Sequence, residues 1–306
     1  MTNEHIPVLL HEAVEALQIQ PNGWYLDATF GRGGHSRAIL QQLGDGGRLY
    51  AMDRDPRAVD AAQAIKDKRF IFKRGEFSRF NELFPLSNKD SLDGILLDLG
   101  VSSPQLDEAE RGFSFTRDGE LDMRMNPDTV LTAKAFVNNA DYGELVNVIK
   151  CMGEERFAKP IAKKIMKTRI TQSITTTKQL AEIVRSAIPA RFHVPGRHPA
   201  TRTFQAIRMR VNNELAELQS MLAKVYPVLK KGGRLVVISF HSLEDGAVKQ
   251  FVKAMAGQEL PPEVPIADSA LLKKVKLIGR PIRPGSEEVA NNPRSRSALM
   301  RVVEKL

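Results

Sequence analysis

The 306-residue chain has one cysteine, Cys151, and one tryptophan, Trp24. A lone cysteine closes no internal disulfide, and no Cys/His cluster has zinc spacing. Long apolar runs are missing as well: nowhere do about 18 apolar residues follow one another, so no membrane-spanning helix is expected. Met1–Pro7 lacks the basic stretch and apolar segment of a signal peptide, and the expected location is the cytoplasm. Repeats and low-complexity tracts are absent. Acid is in short supply: 36 Asp and Glu stand against 45 Lys and Arg, a net charge of +9. That surplus fits a polyanionic partner without requiring one.

What is present is a globular composition, 42% hydrophobic and 26% charged, enough for a core of useful size. Apolar runs alternate with helical patterns. Val8 to Leu17 reads as an entry helix, Trp24 to Ala28 as a strand, Ser36 to Leu43 as a helix and Arg48 to Met52 as a second strand ending in Asp53. Pro56 to Ile65 is helical, with Pro56 suited to a first turn. Arg69 to Lys73 and Gly94 to Leu97 are the third and fourth strands. This alternation predicts an α/β fold with a mostly parallel sheet covered on both faces.

The rhythm then stops until Arg234 to Ile238, a strand announced by Lys231-Gly232-Gly233 and preceded by a helix from Val211 to Leu229. A structureless connection of more than a hundred residues is improbable. The expectation is an inserted helical domain over 126–210, with helices at Glu144–Ile149, Glu155–Met166 and Lys178–Ala187, between the two parts of a main domain, 1–125 and 211–306. Leu243–Met255 reads as a helix, Pro261–Pro265 as a loop, Lys273–Ile278 and Ser297–Val303 as closing strands.

The first strand runs into Asp27-Ala28-Thr29-Phe30-Gly31-Arg32-Gly33-Gly34-His35. Glycines serve where the chain turns tightly and a ligand approaches the backbone; the same turn is also an ordinary strand-to-helix connection. Asp53 ends the second strand 22 residues after Gly31. A carboxylate there suits the two hydroxyls of a ribose, or caps the next helix. A dinucleotide fingerprint needs a third glycine where Ser36 stands, and Asp27 is a poor neighbour for a pyrophosphate. Asp27 suits an ammonium instead, directly or through water. The pattern therefore favours S-adenosylmethionine over a nicotinamide cofactor. Asp98 ends the fourth strand and points to the same crevice; metal binding is the competing reading of the three carboxylates.

Long stretches also resemble one family. Asp27–Ser36, Gly94–Asp107, Glu110–Phe115, Leu121–Met125, Gly153–Phe157, His198–Ala206, Ile238–Asp245 and Asn292–Ser297 are similar, in order along nearly the whole chain, to the bacterial small-subunit (16S) rRNA (cytosine-N4)-methyltransferases. The resemblance implies a Rossmann-like class I methyltransferase with an inserted domain. It implies methylation of the exocyclic N4 of a cytidine in the decoding region of 16S rRNA, in the small ribosomal subunit. The cofactor contacts it implies are Gly33, Gly34, His35, Asp53, Phe77, Asp98 and Gln105. Phe77, just after the third strand, suits packing on an adenine or simple core packing.

Amino-methyltransferases commonly carry Asp/Asn-Pro-Pro-aromatic after the fourth strand, whereas this chain has Asp98-Leu99-Gly100-Val101-Ser102-Ser103-Pro104. By position, Asp98, Ser102 or Ser103 orients the target amino group. From Arg156 to Asn213 there are 13 Lys or Arg and a single acid, Glu182. Such a surface tracks phosphates and stacks bases, or is a solvated face. The candidate substrate contacts are Arg191, Arg197, His198 and Arg202, with Arg294 and Arg296 near the C-terminus. His241, after the fifth strand, faces the crevice or holds structure. A non-catalytic RNA-binding module and a methyltransferase acting on another base remain as alternatives.

Overall fold

The computed structural model describes residues 7–86, 90–196, 198–255 and 273–306, with Ser103 described by its backbone alone. The chain divides into two compact units, 1–100 with 215–306 and 101–214.

In the first unit, α1 (Leu10–Leu17) buries Ala13, Val14 and Leu17, an apolar stripe at helical spacing. Then come β1 (Trp24–Asp27), α2 (Gly34–Gln42), β2 (Arg48–Asp53), α3 (Arg57–Gln63), β3 (Phe70–Arg74), the short α4 (Phe80–Leu83) and β4 (Leu92–Asp98). The second unit carries α5 (Ser103–Asp107), α6 (Ala133–Asn139), α7 (Tyr142–Cys151), α8 (Ala158–Thr171), α9 (Thr177–Ala187) and α10 (Thr201–Val211). The chain returns through α11 (Glu214–Val228) to β5 (Leu229–Ser239), α12 (Ser242–Met255), β6 (Val275–Leu277), α13 (Ser286–Asn291) and β7 (Leu299–Lys305). Among the described residues, no helix is long and apolar enough to cross a membrane.

The seven strands lie in the order β3-β2-β1-β4-β5-β7-β6. β1 pairs parallel with β2 and β4, β2 with β3, and β4 with β5; β7 runs antiparallel to β5 and β6. Side chains alternate across the sheet as strand geometry demands. Leu26, Ile95, Leu97, Leu235 and Val237 enter one core cluster with α11 and α12, while Tyr25, Leu49, Leu96 and Val236 enter another with α1 and α2. The strand order reverses between β1 and β4, and ligands of open α/β sheets bind beyond the strand ends at such a switch point. Asp27 and Asp98 end the two strands that flank it.

Three expectations need correction. The helical unit begins at Val101 and not at 126, because Phe113, Leu121, Met123 and Met125 belong to the same core cluster as its helices. The helix expected from Val211 to Leu229 is α11 and starts at Glu214; Val211 closes α10, and Asn213 between them takes a left-handed φ of 51°. Lys231-Gly232-Gly233 is no turn before a strand. It lies inside β5, where the pairing jumps from Leu92↔Leu229 to Gly94↔Arg234, and Gly232 at φ 79° absorbs the bulge. The expected loop Pro261–Pro265 lies outside the described residues.

Candidate functional site

The loop after β1 is fixed from within. Asp27 is 1% exposed; its Oδ2 accepts the Ser36 hydroxyl at 2.6 Å and its Oδ1 the Thr29 amide at 3.1 Å. The Gly31 amide donates to Asp53 Oδ2 at 2.8 Å, and the Gly33 amide to the Phe30 carbonyl at 2.7 Å. Gly33 precedes α2 at φ 78°, and a Cβ there would lie 2.6 Å from the Phe30 ring. Only glycine fits both demands. Asp27, which the sequence placed beside an ammonium directly or through water, spends one lone pair of each oxygen anchoring the loop that faces the strand ends.

Asp53 is partly exposed and also accepts the Asp55 amide, at 2.9 Å. Both of its oxygens thus brace the backbone, and each keeps a second lone pair for a ligand donor. Burial raises the carboxyls of Asp27 and Asp53, that of Asp27 to about 6, against the lowering effect of their hydrogen bonds.

Asp98 is the centre of the arrangement. Its amide donates to Thr29 Oγ1 at 2.6 Å, and His35 Nδ1, on the first turn of α2, lies 3.8 Å from its Oδ2. Its Oδ1 is buried and has no hydrogen-bond partner among the described residues. Burial raises its pKa well above the usual carboxylate range, and the negative fields of Asp27, Glu244 and Glu288 add to that. Such a concentration of carboxylates favours a cationic ligand. Among the described residues no group of three His, Cys, Asp or Glu side chains is placed to hold a metal ion.

Two of these neighbours went unnoticed in the sequence. Glu244 is buried; its Oε2 accepts the Phe240 and His241 amides at 2.8 and 3.3 Å, and its Oε1 lies 3.2 Å from His241 Nε2. The His241–Glu244 spacing is a helix-entry signal that was legible. Glu288 on α13 accepts the Leu9 amide at 2.9 Å, across 279 residues of sequence, and nothing local marks it. Ser36 was read only as a missing glycine. Phe77 is 9% exposed and belongs to the core cluster of Tyr50, Met52 and Phe80.

In the second unit, Gln105 is buried and its Oε1 accepts the Ser102 amide at 3.0 Å, a capping box at the start of α5. Ser103 follows as the first residue of α5, and its side chain lies outside what is described. Arg191 is exposed, with its Cζ 5.0 Å from the Phe192 ring centroid. The His198 ring lies 4.5 Å from that of Phe115, and Arg202 Nη1 donates to the Glu154 carbonyl at 3.2 Å. Arg197 lies outside the described residues. Back in the first unit, Arg294 and Arg296 are exposed on the 3₁₀ turn Pro293–Ser297.

Known proteins resemble the chain over its whole length. Ribosomal RNA small subunit methyltransferase H of Thiobacillus denitrificans is 50% identical over 309 residues, 100% of this chain and 98% of the relative. The protein of the same name from Dichelobacter nodosus is 52% identical over 308 residues, 100% and 99% of the two chains. Among solved structures, an rRNA methylase from Streptococcus thermophilus aligns with 99% of each chain at 11% identity and a TM-score of 0.42. A model of the MraW methylase family matches residues 2–306, and the chain belongs to that family.

Proposed function

We propose that this family member is an S-adenosylmethionine-dependent methyltransferase of small-subunit (16S) rRNA, and that its acceptor is the exocyclic N4 of a cytidine in the decoding region. Its 50–52% identical relatives are named as methyltransferases of small-subunit ribosomal RNA, which supports the RNA class. The observation that carries the cofactor is Asp98, a partly buried carboxyl in the negative field of Asp27, Glu244 and Glu288, with its buried Oδ1 unpaired among the described residues. A ligand bearing a sulfonium and an ammonium suits that field, and a pyrophosphate does not.

The residues present fit such a ligand. Gly33 and Gly34 form the turn into α2 beside the strand ends, Asp53 offers carboxylate lone pairs to ribose hydroxyls, and Asp98 and His35 line the switch point. When bound, S-adenosylmethionine supplies an activated methyl group. The protein's task is to align a nucleophile behind that methyl, and alignment alone supplies much of a rate enhancement. The cytosine amino group is a weak nucleophile because its lone pair is delocalised into the ring. The Asp98 carboxylate accepts a hydrogen bond from that amino group and favours its pyramidal, reactive form. As the carboxylate it also takes the proton that the nitrogen sheds. Ser102 takes part in the α5 capping box, and the proposal assigns the orienting role to Asp98.

The test is transfer of labelled methyl from S-adenosylmethionine to small ribosomal subunits lacking rRNA modification, followed by digestion to nucleosides. Label in N4-methylcytidine is the expected result. Label in another nucleoside overturns the acceptor and keeps the enzyme class. Tight cofactor binding with no label at any assembly stage overturns catalysis.

A further inference from the structure

The basic face of the helical unit contains one group built differently from the rest. Phe157, which precedes α8, and Phe192 lie with ring centroids 5.1 Å apart. The Arg156 guanidinium sits over both, its Cζ 4.8 Å from the Phe157 centroid and 4.4 Å from that of Phe192. Arg191 lies over Phe192 too, at 5.0 Å. Both arginines are exposed and both rings are partly buried. Elsewhere on this unit the exposed Arg185 pairs with Glu182 and the partly exposed Arg210 with Glu144, while the exposed Arg117 donates to the Asp107 carbonyl. Arg156 and Arg191 meet no carboxylate within ion-pair distance among the described residues. The nearby Glu155 is buried and accepts the Phe157 amide at 2.8 Å.

We propose that this Arg156–Phe192–Arg191 stack is the point where the protein grips an unstacked nucleotide of its RNA substrate, a proposal that rests on the rRNA reading above. Stacking on aromatic rings fixes each guanidinium plane and leaves its N–H groups unspent. A plane held this way stacks a splayed-out base, while its N–H fork bonds a phosphate. The adjoining helix continues the track. Lys159, Lys163 and Lys167 of α8 are exposed and stand four residues apart, so that each step climbs about 6 Å along one edge. Point charges at that spacing suit the phosphates leading away from the gripped nucleotide.

The test compares wild type with the double variant Arg156→Gln/Arg191→Gln, and with Phe192→Leu, which keeps apolar bulk and removes the ring. Affinity for small ribosomal subunits lacking rRNA modification is measured across a salt series, beside methyl-transfer kinetics and S-adenosylmethionine binding. The double variant is expected to raise Kd and KM roughly ten-fold or more and to flatten the salt slope by about two. Its kcat at saturation and its cofactor affinity should stay near wild type, which also reports an intact fold. Phe192→Leu is expected to raise KM with little change in slope. Lys68→Gln, which removes an exposed charge paired to Asp45 in the other unit, should change neither. Wild-type Kd and slope in the double variant, with methylation intact, overturn the stack and leave the rRNA reading standing. A loss on whole subunits but not on protein-free rRNA assigns the face to a ribosomal protein and likewise overturns it. Absence of methyl transfer by the wild-type protein overturns both.

Discussion

Ser36 donates its hydroxyl to Asp27 Oδ2 at 2.6 Å, so the place of a dinucleotide fold's third glycine holds, here, the lock between the first turn of α2 and the end of β1. The carboxyl it grips is buried and titrates at about 6, above the value of about 4 for an unfolded chain. Between those two values the folded protein binds the extra proton, so stability falls as pH rises through that window and the loss is complete above it. Asp27→Asn keeps the shape and removes the charge. It should therefore stabilise the protein at pH 7.5 by up to about 3 kcal/mol, and by only about 1 kcal/mol at pH 4.5. Thermal unfolding at both pH values measures this; a gain of equal size at both would show that charge is not the cause.

Asp98→Asn should lower kcat by roughly a hundred-fold with a smaller effect on cofactor affinity. The wild-type carboxyl is raised by burial and by neighbouring acids, and its accepting, ionised form appears only as pH climbs through that raised pKa. Single-turnover rates should accordingly rise with pH in the wild type and lose that limb in the variant. An unchanged rate and profile would remove Asp98 from the chemistry.

Gly33→Ala places a Cβ 2.6 Å from the Phe30 ring at a φ of 78°. Strain and overpacking together should cost about 1–3 kcal/mol and weaken S-adenosylmethionine binding sharply, read by calorimetry and a denaturant series.

In the helical unit, Asn212 Oδ1 accepts the Met125 amide, and its Nδ2 donates to the Met123 and Arg208 carbonyls, at 2.7, 2.7 and 2.9 Å. Asn212→Ala leaves the two Met backbone groups without this partner, at a cost of about 2–4 kcal/mol. Proteolysis should then begin in 101–214 while the sheet unit stays resistant; uniform destabilisation would count against this.

The sheet was legible because its strands are short apolar runs closed by acids: Asp27, Asp53 and Asp98 mark three strand ends by themselves. The antiparallel place of β7 between β5 and β6 was not, since pairing partners leave no trace in a single strand's pattern. The helical unit's true start was hidden because Leu121, Met123 and Met125 carry their apolar surface on irregular backbone, where no helical or strand period exists. Arg156 and Phe157 were visible as residues. Their stacking with Phe192 was not, because it joins segments 35 residues apart through side chains alone. Glu288 was invisible for the same reason, acting on Leu9 from the far end of the chain.

The β4–β5 pairing has a consequence for how the protein is made. Its two strands are separated in sequence by the entire helical unit, so β4 leaves the ribosome with one edge bare. At typical elongation rates the intervening stretch takes on the order of ten seconds to synthesise. During that wait the nascent β3-β2-β1-β4 half-sheet offers an apolar, unpaired edge, and the switch-point crevice lacks one wall. Cofactor capture must therefore wait for the last third of the chain, and the nascent half-sheet depends on fast folding of the insert, or on a chaperone, to escape misassembly.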